Sequence, residues 1–173
     1  MLTLSSEEGA INFDASDNFI DINIVTGSLK LFFRELTEPM MTFDLYPKFI
    51  AAASKMLGSV PPSHRRLIEC LENEDYNGRL LEIKHILQKL PIAHYTTLHR
   101  LIQHLVKVAS QSGENKMEPV NLAIVFGPTL MRPREDSMDA VMNTGPQNSV
   151  IENLIVQCDW FFDGDKVQAE AEA

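Results

Sequence analysis

The chain has 173 residues, 45% of them hydrophobic and 23% charged, with a formal net charge of −9. That is enough for one domain with a sizeable core, and the negative balance argues against a general nucleic-acid binder, which needs a basic stripe to neutralise phosphates. No apolar run approaches the roughly 18 residues of a membrane span, and no basic segment followed by an apolar core marks a secretory leader.

Residues 1–18 are polar and acidic, with Ser5-Ser6-Glu7-Glu8-Gly9 and Asp14-Ala15-Ser16-Asp17, and are expected to form a poorly ordered lead-in. A helical period begins at Ile22. Val25, Leu29, Phe32, Phe33 and Leu36 recur on one face, and Pro39 ends the run. A second helix is predicted from near Thr42 or Asp44 to about Met56, then a loop from Gly58 to Ser63 containing Pro61-Pro62. A third covers about His64 to Leu71. Asn73 to Gly78 is expected to break it before Leu80, Ile83, Ile86, Leu87 and Leu90 mark the next helix. Tyr95, Leu98, Ile102, Leu105 and Ala109 give the cleanest amphipathic pattern, with Arg100, Gln103 and Lys107 on its solvated side. Gly113 closes that helix.

Pro119 suits the first turn of a further helix, because the N–H it lacks has no partner there. Leu122 to Phe126 are apolar throughout, so this helix is expected to be buried and to stop at Gly127-Pro128. An extended stretch to about Arg134 follows, then a short helix over Asp136 to Met142. Pro146 opens the last helix, which turns Val150, Ile151, Leu154, Ile155, Cys158 and Phe161 or Phe162 inward. The tail from Asp163 is acidic and alanine-rich. With no sustained strand alternation and no repeat, the fold class is all-α, a helical bundle.

Familiar catalytic constellations are missing. There is no Gly-x-Gly-x-x-Gly or Gly-x-x-x-x-Gly-Lys loop to cradle a phosphate, no His-Glu-x-x-His and no Gly-x-Ser-x-Gly. His94, His99 and His104 are spaced by five, which places them about 140° apart around a helix. No metal or cofactor is expected. Cys70 and Cys158 have no redox or metal spacing. Reduced thiols and a cytoplasmic setting follow. Glu35 and Glu38 read as a solvated helix end rather than a catalytic carboxylate pair.

Two features are unusual. Asn121 puts a primary amide inside an apolar run, where lacking a partner costs roughly 1–3 kcal/mol. It either ties a nearby loop to the helix or reaches a partner across an interface. Lys30 and Arg34 stand at i and i+4, where like charges repel by roughly 0.2–0.5 kcal/mol. They are either a solvated face or a small cationic patch facing an acidic partner.

The stretch from Glu114 to Pro133, including Asn121-Leu122 and Phe126-Gly127-Pro128, resembles the signature of the Rho GTPase-activating (RhoGAP) domain. Asp21 to Pro39, with Gly27-Ser28-Leu29-Lys30-Leu31-Phe32-Phe33-Arg34-Glu35-Leu36, and Thr42 to Phe49 are similar to chimaerin-type members of that family. The resemblance covers about residues 19–162. It implies a helical bundle of the RhoGAP type and a partner of the Rho, Rac or Cdc42 class in its GTP-bound form, without nucleic acid or membrane insertion. Lys30, Arg34 and Asn121 match positions at the family's GTPase-binding face, and Asn148 matches a polar position near the start of the last helix that approaches it. The arginine matching Arg34 also supports the loop that carries the catalytic finger. Pro128 matches the family's Gly-Pro and is expected to be structural.

The chain departs from the family pattern in two places. The catalytic arginine of complete domains lies upstream of the block ending at Arg34, but residues 1–29 contain no arginine. The N-terminal helix and arginine-finger loop are therefore expected to be missing from this chain. Residues from about Lys55 to Leu71 look inserted, and nothing places Arg65 or Arg66 at the finger position. The expected function is a GTPase-activating-type regulator, catalytically impaired in this chain. The alternative is a non-catalytic interaction module that uses the same face.

Overall fold

The structure, a computed structural model, describes residues 22–54, 65–134 and 142–163, with Ile22 and residues 65–75 described by their backbone. Eight helices run through these residues: α1 (Ile22–Arg34), α2 (Tyr46–Ser54), α3 (Arg65–Leu87), α4 (Ile92–Ala109), α5 (Ser112–Asn115), α6 (Pro119–Leu130), α7 (Thr144–Val156) and α8 (Cys158–Phe162). The described residues contain no strand.

The core follows the 3.6-residue period most closely in α4. Tyr95, Leu98, Leu101, Ile102 and Leu105 are buried, each burial contributing roughly 1.5–3 kcal/mol before entropy is counted. α7 turns Val150, Ile151, Leu154 and Ile155 inward and packs on α2, α4 and, most extensively, α6. α8 continues the buried face with Cys158, Phe161 and Phe162. Ile83, Ile86, Leu87 and Leu90 complete the core from α3 and its C-terminal turn.

Several sequence expectations meet a different outcome. Asn73–Gly78 does not break a helix: α3 runs through it without interruption. A single glycine in a helix costs only about 1 kcal/mol, and Gly78 faces open space. Tertiary anchoring adds to this, since the Tyr76 hydroxyl donates to Asn153 Oδ1 at 2.8 Å. Likewise, α6 does not stop at Gly127-Pro128 but continues to Leu130. Pro128 lies close enough to the helix end that few backbone bonds are lost. α4 ends at Ala109 rather than Gly113, which falls within the short α5. Lys116 then reverses the chain at φ 60°. The last helix opens at Thr144 and breaks at Gln157. The acidic lead-in, the acidic tail, the 58–63 loop and nearly all of the 136–142 helix lie outside the described residues.

Candidate functional site: the α1–α6 face

α1 packs mainly on α6. Its grip is slight, because Phe33 is its only fully buried side chain among the described residues and Leu29 is half-buried. Phe32, expected to share the core face, is 59% exposed, and Ile24 and Leu31 are exposed with it. Phe32 still touches Phe33 edge-on, ring centres 5.3 Å apart. A helix that buries a narrow seam leaves its remaining apolar residues in water even where the period groups them together.

α6 is also less buried than its composition implies. Leu122, Ala123 and Phe126 face the core, whereas Val120, Ile124 and Val125 are exposed, Ile124 by 54%. Val120, Asn121, Ile124, Val125 and Pro128 thus form one exposed stripe along the helix. Asn121 lies in it as an exposed residue, its Nδ2 donating to the Lys116 carbonyl at 3.1 Å. The amide ties the left-handed turn before α6 to the first turn of that helix. Its exposure also leaves it accessible to another molecule, so the local tie and an interface role are compatible.

The C-terminal ends of α1 and α6 meet around a cavity of about 710 Å³, whose walls include Arg34, Leu36, Thr37, Pro128, Arg132 and Gln147. Arg34 is exposed, and Lys30, one turn earlier, is half-buried. Pro128 is exposed and shares this cavity with Arg34. Asn148 does not line this cavity, although its neighbour Gln147 does. Asn148 is half-buried near the start of α7, and its Oδ1 lies only 2.6 Å from where a Cβ on Gly127 would be. That oxygen is buried and has no hydrogen-bond partner. Of the four polar positions, Lys30 and Arg34 lie on α1, Asn121 lies on α6, and Asn148 meets α6 from α7 at Gly127.

Two residues with no role assigned from sequence prove central to this corner. One terminal nitrogen of Arg132 donates to the Leu36 carbonyl at 2.5 Å, and its guanidinium rests over the Phe43 ring, 5.1 Å from the centre. Gln147 is buried and donates to the Met131 carbonyl at 3.0 Å and to the Tyr46 hydroxyl at 3.3 Å. Arg132 is part of the Met-Arg-Pro segment that closes the long motif, but its partner is 96 residues away, so no local pattern exposes the pairing. Gln147 could have been found only as a polar residue on the otherwise apolar face of the last helix.

Among the described residues no group of histidine, cysteine or acidic side chains could hold a metal ion, and no helix is long and apolar enough to cross a membrane. His99 stacks on Phe162 at 4.5 Å. Cys158 is buried, and burial, with Asp159 beside it, pushes its thiol upward. A thiol held neutral in this way is a poor nucleophile.

Comparison with known proteins matches this arrangement. The RhoGAP domain model matches residues 3–135. Rho GTPase-activating protein 21 of Mus musculus is 41% identical over 157 residues, which span 90% of this chain and 7% of that protein. Beta-chimaerin of Rattus norvegicus is 41% identical over 145 residues, 83% of this chain and 43% of that protein. The chain thus spans less than half the length of either relative. Among solved structures, human Rho GTPase activating protein 15 superposes with a TM-score of 0.69 at 29% identity, covering 90% of this chain and 64% of that one. The BH domain of GRAF, the GTPase regulator associated with focal adhesion kinase, gives 0.67 at 33% identity, covering 85% and 69%. With its helical fold, its two motif blocks packed together as α1 and α6, and a family match over most of its length, the chain belongs to the RhoGAP domain family.

Proposed function

We propose that this chain is a GTPase-activating-type regulator that binds a small GTPase of the Rho, Rac or Cdc42 class, in its GTP-bound form, through the α1–α6 face. The observation that supports this reading is the packing of α1 on α6, which brings Arg34 to the same cavity as Pro128, at the end of the exposed stripe of α6 that also holds Asn121. Cations at the rim of an apolar surface steer an acidic partner and speed encounter, while a desolvated amide slows its release. Lys30, Arg34 and Asn121 are assigned to the contact, with Asn148 at its edge beside Gly127. Pro128 is assigned a structural role in the last turn of α6. Rho-family GTPases act in the cytoplasm, and the chain is placed there with its partner.

Phosphoryl transfer takes place within the GTPase, which holds the nucleotide and Mg²⁺. An activator contributes positioning and one arginine in trans, worth about 10³–10⁵ in rate. No arginine precedes Arg34 in this chain, and Arg34 is assigned to the binding face. Binding and stimulation are therefore expected to separate, leaving only a small acceleration from positioning the GTPase's own groups. That same absence favours a second reading, a non-catalytic interaction module that uses this face.

Single-turnover GTP hydrolysis by Rac, Rho and Cdc42, with and without the chain, tests the proposal alongside a binding assay in both nucleotide states. We expect binding that prefers the GTP form, with stimulation below about tenfold. Full stimulation would overturn the impaired reading and direct attention to Arg65 and Arg66 at the start of α3, each to be changed to alanine. No binding to any of the three would overturn the proposal itself.

A further inference from the structure

The segment that follows α6 is anchored in the core. Gln147 holds the Met131 carbonyl, and the Met41 N–H donates to the Leu130 carbonyl at 3.0 Å. Met131 is extended, at φ −137° and ψ 113°, and the next residue, Arg132, reaches back to the end of α1. The linker it meets is strained. Thr42, a β-branched residue, sits at φ 51°, a conformation that persists only where the surroundings hold it. Its holders are the Met41–Leu130 bond, the Phe43 N–H donating to Glu38 Oε1 at 2.7 Å, and the Arg132 clamp on Leu36.

We propose that Arg132 is a positioning residue for the α1–α6 face: through Leu36 it fixes the last turn of α1, and with it Arg34, against the end of α6. The inference rests on the reading of that face as the GTPase contact. Three observations carry it. α1 fully buries only Phe33 among its described side chains, so the Arg132 bond to Leu36, two residues past its end, adds a second hold on its pose. Arg132 and Arg34 wall the same cavity, so a shift of one moves the surroundings of the other. The Arg132 Nε is buried without a hydrogen-bond partner, a cost that makes the residue a poor choice for stability alone. The Arg132 guanidinium lies over Phe43, a ring it shares with Arg134, while donating to Leu36; a lysine cannot reproduce both contacts.

The test is a double-mutant cycle read by the affinity of the purified 173-residue chain for a Rho-family GTPase loaded with a non-hydrolysable GTP analogue. Arg132→Lys is made alone and with Arg34→Ala, and each protein is also melted. Arg132→Lys is expected to weaken binding about fivefold when Arg34 is present and less than about twofold when it is alanine, the non-additivity of residues that act through one another. Phe43→Leu, which removes the ring beneath the guanidinium, should act in the same direction. Equal losses in both backgrounds, or loss of folding in both Arg132→Lys and Phe43→Leu, would overturn the inference and leave Arg132 a stabilising residue only. Lys30→Glu and Asn121→Ala separate the two levels. If they weaken binding while Arg132 is additive with Arg34, the inference alone has failed. If they leave binding unchanged, or the unmodified chain does not bind, the reading of the face has failed and the inference falls with it.

Discussion

Gly127 and Asn148 make a single contact in which a missing Cβ sets the packing of two helices. α6 and α7 form the most extensive helix pair among the described residues, and the Asn148 Oδ1 occupies the space a Cβ would take. Gly127→Ala must push that amide aside and is expected to destabilise the chain by about 1–2 kcal/mol despite alanine's better helix propensity. In an Asn148→Ala background the clash is gone, and the same substitution should be neutral or stabilise by up to about 1 kcal/mol. Urea unfolding of the four proteins checks the reversal of sign. His99 offers a second residue-scale prediction. Burial against Phe162, reinforced by the Arg100 charge, lowers its pKa below 6.5, against a smaller opposing pull from Asp159. The unfolded chain then binds the proton more readily than the folded one, so stability rises with pH through this window. The His99 contribution is complete above about pH 6.5 and is lost as pH falls through the lower folded value. His99→Phe, which keeps a ring over Phe162, should flatten the fall in melting temperature between about pH 7 and pH 5.

Two adjacent aromatic residues show at the scale of the element how α1 is held. Phe33 is 4% exposed and Phe32 is 59% exposed. Phe33→Ala is expected to cost about 3–5 kcal/mol, as removal of a buried ring does. Phe32→Ala should cost under about 1 kcal/mol, since the ring leaves water-exposed surface and loses only its edge contact with Phe33. Denaturant unfolding distinguishes the two, and equal losses would mean that α1 packs by a wider face than the one described. The exposed Ile24, Leu31 and Phe32 also make α1 the element on which polar substitution should most improve solubility.

The molecule as a whole has a firm centre and a lightly held edge. α4 contacts α6, α7 and α8, and α7 contacts α2, α4, α6 and α8, whereas α1 leans chiefly on α6. Amide hydrogen exchange should reflect that gradient. Amides in the middle of α4 and α7 are expected to exchange only through global unfolding, and those of α1 through local opening at several kcal/mol less, about half the global value. Uniform protection across α1 and α4 would contradict it. A weakly held α1 also bears on function, because the proposed GTPase cations ride on it. A bound partner that contacts both α1 and α6 should raise protection in α1 more than anywhere else.

Much of this architecture was legible in the residues themselves. The 3.6-residue period of α4 and of the last helix and the proline opening α6 were enough to indicate an all-α bundle, because periodicity and first-turn chemistry are local properties of the chain; the RhoGAP type came from the resemblance of the two motif blocks. The assignment of Lys30, Arg34, Asn121 and Asn148 to a GTPase-facing site came from the resemblance to the family's motifs and stands as a proposal. Tertiary packing decided the rest. It carried α3 through Asn73–Gly78 and α6 through Pro128, where a local helix-breaking preference of about 1–3 kcal/mol is smaller than the gain from burying the helix's apolar face. It turned Phe32 outward although its period matched Phe33, because what a helix buries depends on how wide its neighbour is. It also brought Arg132 to Leu36 across 96 residues, a contact between two chain segments that no pattern within either one encodes.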